Sequence, residues 1–267
     1  MRKILLEKVY KNYFAPKAVA ERYLKGRPRY HSFVIGKIRE SLRLREILAY
    51  SLDVGCGTGF STVALKEISD KVIGLDVSAE MVALAKRKKG IDLLVGSAEE
   101  LPFDESRFDL ITIAQAVHWI DKRSFFAEAG RVLKPDCWIV AYDNYFLGKT
   151  ADDPDFSVWY RNEFLKIFPS PPRAERSFPA KSEDPKAFVL VREEWHENEI
   201  ELSARETVDF LLTITNVINA VENGVGKIEE VEDWLLENIN PFFKDDGRNS
   251  FAFMAPVWYL RQNRWKL

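Results

Sequence analysis

Polar and aromatic side chains that could do chemistry follow an apolar stretch at residues 108–113. The stretch FDLITI is predicted as a strand and leads directly into AQAVHWID, which contains Gln115, His118 and Trp119. Ligands of open α/β sheets bind outside the carboxyl ends of the strands. An amide and an imidazole there could orient a small molecule or take its proton, and an indole could form a wall of its pocket. The alternative is that His118 and Trp119 end the strand as a packed, hydrogen-bonded pair.

Glycines dominate the sequence DVGCGTG, where Gly55, Gly57 and Gly59 lie between a predicted strand and a predicted helix. Without side chains, the backbone N–H groups of such a loop can approach a ligand at the positive end of the helix. The dinucleotide pattern G-x-G-x-x-G is not met because Phe60 occupies its last position, which disfavours a nicotinamide-dependent oxidoreductase. Asp76 ends the next predicted strand, where a carboxylate can accept both hydroxyls of a ribose. Each feature alone is also compatible with an ordinary turn or helix cap, but together they predict a site for a ribose-bearing ligand.

Strand and helix patterns alternate through the residues that must position these groups. Seven stretches are predicted as strands, and the first five are apolar runs separated mostly by amphipathic helices. This alternation predicts an α/β fold, doubly wound, with a mostly parallel seven-stranded sheet and a helical lid. The last two strands come after the parallel run and predict an antiparallel edge of the sheet.

Composition shifts divide the chain into four predicted segments. These are a helical cap over residues 1–47, a ligand-binding core over 48–146, an insertion or lid over 147–187, and a completion of the sheet with substrate-side helices over 188–267. In the last segment, Ser203 and Glu206 form a predicted capping box at the start of one helix over residues 203–224.

Charge and cysteine content narrow the classes of function. The formal net charge is −2 with 30% charged residues, which does not favour a nucleic-acid partner. No metal site is predicted, because the two cysteines and three histidines show no metal-ligand spacing. No apolar run is long enough to span a membrane, so a cytoplasmic protein is expected. The expected oligomeric state is a monomer or homodimer.

Five sequence motifs, in order and at the usual intervals, resemble those of class I S-adenosylmethionine-dependent methyltransferases. They are LDVGCGTG, GLDVS followed by EM, GSAEELPF, FDLITIAQA and RVLKP, over roughly residues 50–145. The resemblance implies S-adenosyl-L-methionine as the cofactor. It also implies that Asp53 and Gly55, with the backbone of Gly57 and Gly59, hold the amino-acid end of the cofactor, and that Asp76 holds its ribose.

The same resemblance assigns the remaining cofactor contacts. Met81 would pack on one face of the adenine, and Ser97, Ala98 and Glu99 would line its edge. Gln115, at the end of the fourth strand, would contact both the cofactor and the reacting groups.

Three further segments resemble a subgroup that includes the trans-aconitate methyltransferases. They are AQAVHW, YLKGRPRY at residues 23–30 and FLLTITNV at 210–217. Arg27 is the candidate for orienting an acidic acceptor, since a guanidinium binds a carboxylate bidentately, although an exposed arginine beside a helix break is equally compatible. Tyr23 and Tyr30 could close the cofactor pocket.

Later in the chain, Thr213 and Asn216 could contact the acceptor. A polar pair capping a buried helix face explains them as well.

The sequence therefore predicts methylation of a small molecule at a carboxylate or hydroxyl oxygen. A carboxylate needs no base, whereas a hydroxyl must lose a proton, and His118 is the histidine that the motifs place to take it. Methylation of RNA or protein is an alternative within the enzymes. A cofactor-binding regulatory or partner subunit without turnover is an alternative outside them.

Overall fold

The computed structural model of the protein describes residues 17–86, 90–151, 153–170, 188–244 and 247–262. Part of the predicted cap, residues 1–16, and of the predicted insertion, residues 171–187, therefore lies outside the described residues.

Strands and helices alternate along the described chain. In order they are α1 (Lys17–Gly26), α2 (His31–Ser41), β1 (Leu48–Val54), α3 (Phe60–Leu65), β2 (Ser69–Asp76), α4 (Ala79–Ala85), β3 (Asp92–Val95), β4 (Phe108–Ala114), α5 (Lys122–Val132), β5 (Leu133–Tyr142), β6 (Tyr145–Thr150), α6 (Pro154–Trp159), a π-helical turn (Tyr160–Phe164), α7 (Leu165–Ile167), β7 (Phe188–Ser203), α8 (Ala204–Leu211), α9 (Thr215–Glu222), α10 (Ile228–Ile239) and β8 (Arg248–Gln262). A 3-10 turn (Val117–Trp119) follows β4, and another (Asn240–Phe242) follows α10.

Contacts divide the chain into two compact units, each assembled from three stretches of sequence. The core unit comprises the described residues of Arg29–Asn144, Arg173–His196 and Ala255–Leu267. The second unit comprises the described residues of Met1–Pro28, Tyr145–Pro172 and Glu197–Met254. The long strands β7 and β8 each contribute residues to both units.

A parallel sheet forms the centre of the core unit. Its strands follow the order β3-β2-β1-β4-β5, and residues 257–261 of β8 pair antiparallel with β5. Leu52, Ile111 and Ile139, on the three central strands, have no exposed surface, as continuous apolar runs in a covered sheet require. The predicted α/β fold with a mostly parallel sheet and an antiparallel edge is confirmed.

Register brings the functional segments to one edge of this sheet. Asp53 of β1 lies opposite Thr112 of β4, and Ala114 at the end of β4 lies opposite Tyr142 at the end of β5. Because these strands are parallel, their carboxyl ends lie side by side. The glycine loop after β1 and the AQAVHWID segment after β4 therefore become neighbours.

The second unit has a core rich in aromatic side chains. Phe156, Phe164 and Phe251 have no exposed surface, and Phe146 lies within 6.3 Å of five other aromatic rings, measured between centroids. β6 pairs antiparallel with residues 251–254 of β8. Within the predicted insertion, a helical run begins at Pro154, with Asp153 as its N-cap.

Among the described residues, the sheet has eight strands, one more than the seven predicted from the sequence. The stretch predicted as one strand over residues 137–146 ends at Tyr142, and β6 begins at Tyr145. At the break, the N–H of Asp143 donates to the carbonyl of Pro256 at 3.1 Å. Proline has no N–H with which to return the ladder bond, which explains why the strand is interrupted here.

The single helix predicted over residues 203–224 is wrong. Its capping box is present, since Ser203 Oγ accepts from the N–H of Glu206 and the Glu206 carboxylate accepts from the N–H of Ser203. The helix stops at Leu211, however, and α9 starts only at Thr215. β-Branched residues are poor helix formers, and the Thr213 hydroxyl donates to the Phe210 carbonyl at 2.6 Å within the break.

Candidate active site

The glycine loop adopts the left-handed conformations that its sequence predicts. Gly55, Gly57 and Gly59 have φ angles of 70°, 52° and 76°. A Cβ atom on Gly55 would lie 2.4 Å from the Cβ of Ala116, whereas one on Gly57 would meet nothing within 4 Å. Gly55 is therefore required by close packing against the segment after β4, and open space lies beside Gly57, where a ligand could approach the backbone.

The buried carboxylate of Asp53 holds together the elements on either side of this loop. Its carboxylate has no exposed surface and accepts hydrogen bonds from Ser61 Oγ at 2.6 Å, Thr62 Oγ1 at 2.7 Å and Thr112 Oγ1 at 3.0 Å. Burial raises its pKa to about 6, although the three hydroxyl donors act in the opposite direction. The contact with the amino-acid end of a cofactor stays a prediction. In the structure, Asp53 joins β1, β4 and the first turn of α3, and so positions the loop.

Asp76 joins the second strand to the loop. Its Oδ2 accepts from the N–H of Gly57 at 2.8 Å, and its Oδ1 accepts from the N–H of Ser78 at 2.8 Å. Burial raises the pKa of this carboxyl, and the two N–H donors oppose that rise. Each carboxylate oxygen retains a second lone pair, so the hydroxyls of a ribose could still be accepted here.

The residues predicted to surround an adenine lie at the ends of β2 and β3. Met81 is buried in the first turn of α4, and Ala98 is 8% exposed. The Ser97 hydroxyl donates to the Glu99 carboxylate, which also accepts from the N–H of Asp121 at 2.9 Å. Glu99 thus ties the turn after β3 to the residue that precedes α5, and sets the spacing between these two segments.

Backbone strain marks the start of the AQAVHWID segment. Gln115 has a φ angle of 54°, a conformation that costs a residue with a side chain about 1–3 kcal/mol. Its N–H donates to the Tyr142 carbonyl at 2.8 Å, and its Nε2 donates to the Asn144 carbonyl at 3.2 Å. These bonds hold the strained residue in place at the carboxyl edge of the sheet.

The imidazole and indole that follow are half-buried in the 3-10 turn. The ring centroids of His118 and Trp119 lie 4.9 Å apart with their planes tilted by 52°. Asp121 then caps α5 by accepting from the N–H of Ser124 at 2.9 Å, a bond that lowers the pKa of the Asp121 carboxyl. The last residue of the AQAVHWID segment therefore has a structural role.

Three residues predicted to face the acceptor lie together in the second unit. Arg27 Nη2 donates to the backbone carbonyl of Thr213 at 3.1 Å, and the guanidinium carbon lies 4.8 Å from the centre of the Tyr23 ring. The Arg27 Nε–H is buried and has no hydrogen-bond partner among the described residues. Thr213 contributes its carbonyl rather than its hydroxyl, which is used in the helix break.

Asn216 has an internal role in the second unit. It is 7% exposed, and its Nδ2 donates to the Phe168 carbonyl at 3.0 Å and to Ser170 Oγ at 3.2 Å. Thr213 and Asn216 also belong to different elements, so the shared helix face predicted for them does not exist. The contact of Thr213 and Asn216 with an acceptor stays a prediction.

Sequence reasoning missed a cluster that contains Tyr30. In the core unit, the Tyr30 ring stacks on His31 with centroids 4.2 Å apart, and His31 Nδ1 lies 3.0 Å from Tyr142 Oη. The available signal was the position of His31 directly after the YLKGRPRY element. Tyr142, at the end of a strand whose partner could not be assigned from one sequence, carried no signal of its own.

Among the described helices, none has both the length and the apolar character needed to cross a membrane.

The described residues offer few candidates for a metal site or a reactive thiol. Across that part of the chain, His, Cys, Asp and Glu side chains form no group of three or more that could hold a metal ion. Cys56 and Cys137 are both free thiols, and burial raises the pKa of each. A raised pKa keeps a thiol protonated and therefore weakly nucleophilic.

Part of the core unit is similar in sequence to known methyltransferases. Residues 52–141 match the family model described as a methyltransferase domain. A demethylmenaquinone methyltransferase of Bacillus cereus is 38% identical over 109 residues, which are 36% of this chain and 46% of that protein. The uncharacterized methyltransferase YcgJ of Bacillus subtilis is 37% identical over 101 residues, which are 35% of this chain and 40% of that protein. The chain thus spans about half the length, or less, of these curated relatives.

Among solved structures, a candidate type II methyltransferase from Anaeromyxobacter dehalogenans shares the fold. Its TM-score is 0.67 at 22% identity, and the match covers 88% of this chain and 97% of that one. Residues 52–141 are therefore similar in sequence to a methyltransferase domain, and the protein shares the fold of that solved structure.

Proposed function

We propose that the protein transfers a methyl group from S-adenosylmethionine to an oxygen of a small molecule, either a carboxylate or a hydroxyl. The observation that carries this proposal is the carboxylate of Asp76 bonded to the N–H of Gly57, directly beside open space. This pairing joins a ribose acceptor to a backbone that a ligand can approach. The strained Gln115 lies on the neighbouring segment, at the edge where an acceptor would enter.

When bound, S-adenosylmethionine supplies a methyl group on a positively charged sulfur, so the carbon to be attacked is already activated. The protein then has mainly to align the reactants, and alignment can lower a barrier by about 7–11 kcal/mol. Asp53 and Asp76 hold the loop that would bind the cofactor. Asp76 accepts from the N–H of Gly57 in the loop, and Asp53 accepts from Ser61 in the helix that follows it. Gln115, anchored at its backbone and at its amide, would set the position of the acceptor.

The class of methyl acceptor is also proposed, from Arg27 and from three sequence segments. Arg27 is proposed to orient an acidic acceptor, since its buried Nε–H lacks a hydrogen-bond partner among the described residues and a guanidinium binds a carboxylate. The resemblance of AQAVHW, YLKGRPRY and FLLTITNV to the trans-aconitate subgroup makes small polycarboxylates the first acceptors to screen. His118 remains the sequence-based candidate for taking a proton from a hydroxyl acceptor.

Cofactor binding is the first test, by calorimetric titration with S-adenosylmethionine, S-adenosylhomocysteine and NADH. We expect the first two to bind and NADH to bind more weakly, because the loop lacks the dinucleotide spacing. Asp76→Ala should abolish the binding. Asp70→Ala is the matched control, because Asp70 is exposed at the other end of the same strand.

Equal loss of binding in the two variants, or tighter binding of NADH, would contradict the cofactor assignment. Tight cofactor binding without methylation of any acceptor would instead favour a regulatory subunit. Cofactor turnover stimulated by tRNA would favour an RNA methyltransferase.

A further inference from the structure

A guanidinium without a counter-ion lies in the second unit, directly after α1. Among the described residues, Arg27 forms no ion pair, and its only hydrogen bond runs from Nη2 to the Thr213 carbonyl at 3.1 Å. The Arg27 Nε–H is buried and has no partner among those residues. Burial of an unpaired polar group destabilises a protein, and pairing with an anion offsets that cost. Arg27 is therefore a candidate to bind an anionic ligand.

Two neighbouring cations already share one carboxylate. Lys25 Nζ lies 3.0 Å from Asp209 Oδ2, and Arg205 Nη2 lies 2.5 Å from Asp209 Oδ1. The backbone of Gly26 lies directly against α8, because a Cβ atom on Gly26 would be 2.1 Å from the Asp209 carbonyl oxygen. Arg27, the next residue, is thus held beside α8 without belonging to this group. Among the residues described there, Arg27 supplies an unpaired positive charge that one carboxylate would balance.

A second arginine of the same segment, Arg22, is balanced within the protein. Its Nε–H is also buried and without a hydrogen-bond partner among the described residues, and burial lowers the pKa of Arg22. The carboxylates of Glu229 and Glu232 oppose that shift, so they lie close enough to balance its charge. Arg27 has a buried Nε–H of the same kind but no ion pair in the described part of the chain. The difference between the two arginines favours a ligand as the anion at Arg27.

Aromatic rings lie around this guanidinium. Its carbon is 4.8 Å from the centre of the Tyr23 ring and 5.8 Å from the centre of the Phe210 ring. The Phe210 ring in turn lies 5.2 Å from Phe146 and 5.6 Å from Phe253, measured between centroids. Tyr23 and Phe146 are half-buried, so both rings keep exposed surface. Contact with such rings stabilises an apolar ligand, whereas further charged groups on the ligand would lose hydration without gaining a partner.

We propose that Arg27 binds the carboxylate of an organic acid that has a single carboxyl group and an apolar body, and that the Tyr23 and Phe146 rings contact this body. The Nε–H and an Nη–H of a guanidinium can donate in parallel to the two oxygens of a carboxylate. The bound acid is the methyl acceptor of the proposed function, on which this assignment rests. The acceptor class is thereby narrowed to apolar monocarboxylates, in contrast to the polycarboxylates that the sequence resemblance puts first.

Methyl transfer to such an acid needs no base, because the carboxylate is already ionised at neutral pH. One carboxylate oxygen forms a bond to the methyl carbon while the bond from that carbon to sulfur breaks, and the electron pair of the broken bond goes to sulfur. The products are a methyl ester and S-adenosylhomocysteine, and no proton is released.

Calorimetric titration of the full chain with straight-chain acids tests the ligand class. The probes are acetate, butanoate, hexanoate and octanoate, with octanamide as the uncharged analogue and citrate and trans-aconitate as polycarboxylates. We expect the affinity to rise along the series by up to about fourfold for each methylene that is buried. Octanamide and both polycarboxylates should bind at least about tenfold more weakly than octanoate. Equal affinities for acetate and octanoate, or tighter binding of a polycarboxylate, would overturn the class.

Substitutions of the two arginines assign the binding to one of them. Arg27→Gln should weaken octanoate binding by about 10- to 100-fold, because it removes the charge and the parallel donors. Arg27→Lys keeps the charge but not the fork of donors, so its loss should be smaller, and it serves as the test should Arg27→Gln not fold. Arg22→Gln is the matched control and should bind octanoate like the wild type. Unchanged octanoate affinity in both Arg27 variants, or an equal loss in Arg22→Gln, would overturn the role of Arg27.

Titration of the wild type with S-adenosylmethionine separates this proposal from the proposed function. If octanoate binds but the cofactor does not, the proposed function fails, whereas the binding site at Arg27 is supported. If the cofactor binds but none of the acids does, the site at Arg27 is wrong and the proposed function is unaffected. If both bind, methyl octanoate and S-adenosylhomocysteine should form together. Binding of both without formation of the ester would overturn the role of the acid as the acceptor.

Discussion

Buried polar residues have different roles in two regions of the molecule. One region is the glycine loop of the core unit, and the other is the helix pair α8–α9 of the second unit. Around the loop, Asp53 and Asp76 make bonds that hold backbone in a conformation a ligand could use. In the second unit, the Asn216 amide donates to the Phe168 carbonyl and to Ser170 Oγ. The polar residues at consecutive strand ends thus hold the loop of the candidate site, whereas Asn216 of α9 bonds within the second unit.

Among the substitutions considered, Gly55→Ala should lower the free energy of unfolding the most. In Gly55→Ala the new Cβ would lie 2.4 Å from Ala116 Cβ at a φ angle of 70°. We expect destabilisation by about 2–4 kcal/mol, from left-handed strain and overpacking together, and loss of cofactor binding. Urea denaturation and calorimetry would measure both. The added substitution Ala116→Gly should restore part of the stability, and failure of this rescue would show that the contact is not the cause.

Gly36→Ala provides the matched control for that experiment. A Cβ there would meet nothing within 4 Å, and Gly36 lies inside α2. The substitution should be neutral or stabilise the protein by up to about 1 kcal/mol.

The buried carboxyl of Asp53 should give stability a characteristic dependence on pH. Its folded-state pKa of about 6 is above the unfolded value, so the folded protein binds the proton more tightly. The Asp53 contribution therefore favours folding at low pH and is lost as the pH rises from about 4 to 6, by about 3 kcal/mol at most. Asp53→Asn should remove this component from the difference in unfolding free energy between pH 4 and pH 7. If the variant shows the same difference in unfolding free energy between pH 4 and pH 7, the pH dependence does not come from Asp53.

Substitution of Asn216 tests the second of the two regions, the helix pair α8–α9. Asn216→Ala should leave the Phe168 carbonyl without this donor and destabilise the protein by about 1–3 kcal/mol. The affinity for S-adenosylmethionine should stay unchanged, because the residue lies in the second unit. Reduced cofactor affinity at full stability would show that the two regions are not as different as their contacts indicate.

The capping box of α8 should give the smallest effect. Ser203→Ala removes the acceptor for the Glu206 N–H and should cost about 1 kcal/mol. Ser203→Asp, which can accept the same bond, is the control and should retain most of the stability. Equal thermal midpoints for the wild type and Ser203→Ala would show that the cap does not contribute.

Much of the core fold and part of the site could be predicted because their information is local. The strand endings at Asp76 and Ala114 follow from apolar runs, and the positive φ angles of Gly55, Gly57 and Gly59 follow from the residue type. The three hydroxyl partners of Asp53 could not be predicted, because they come from α3 and from β4. The helix over residues 203–224 was too long because its pattern of apolar residues continues through the break at Thr213.

By itself, the sequence determined that a glycine loop joins a strand to a helix, that a carboxylate ends the next strand, and that AQAVHWID follows a buried strand. These features depend on residue types and short spacings. Only the tertiary structure decided that Gly55 packs on Ala116, that Gln115 is strained against Tyr142 and Asn144, and that His31 meets Tyr142. His31 and Tyr142 are 111 positions apart, and their meeting depends on strand order and helix packing, which no local pattern encodes.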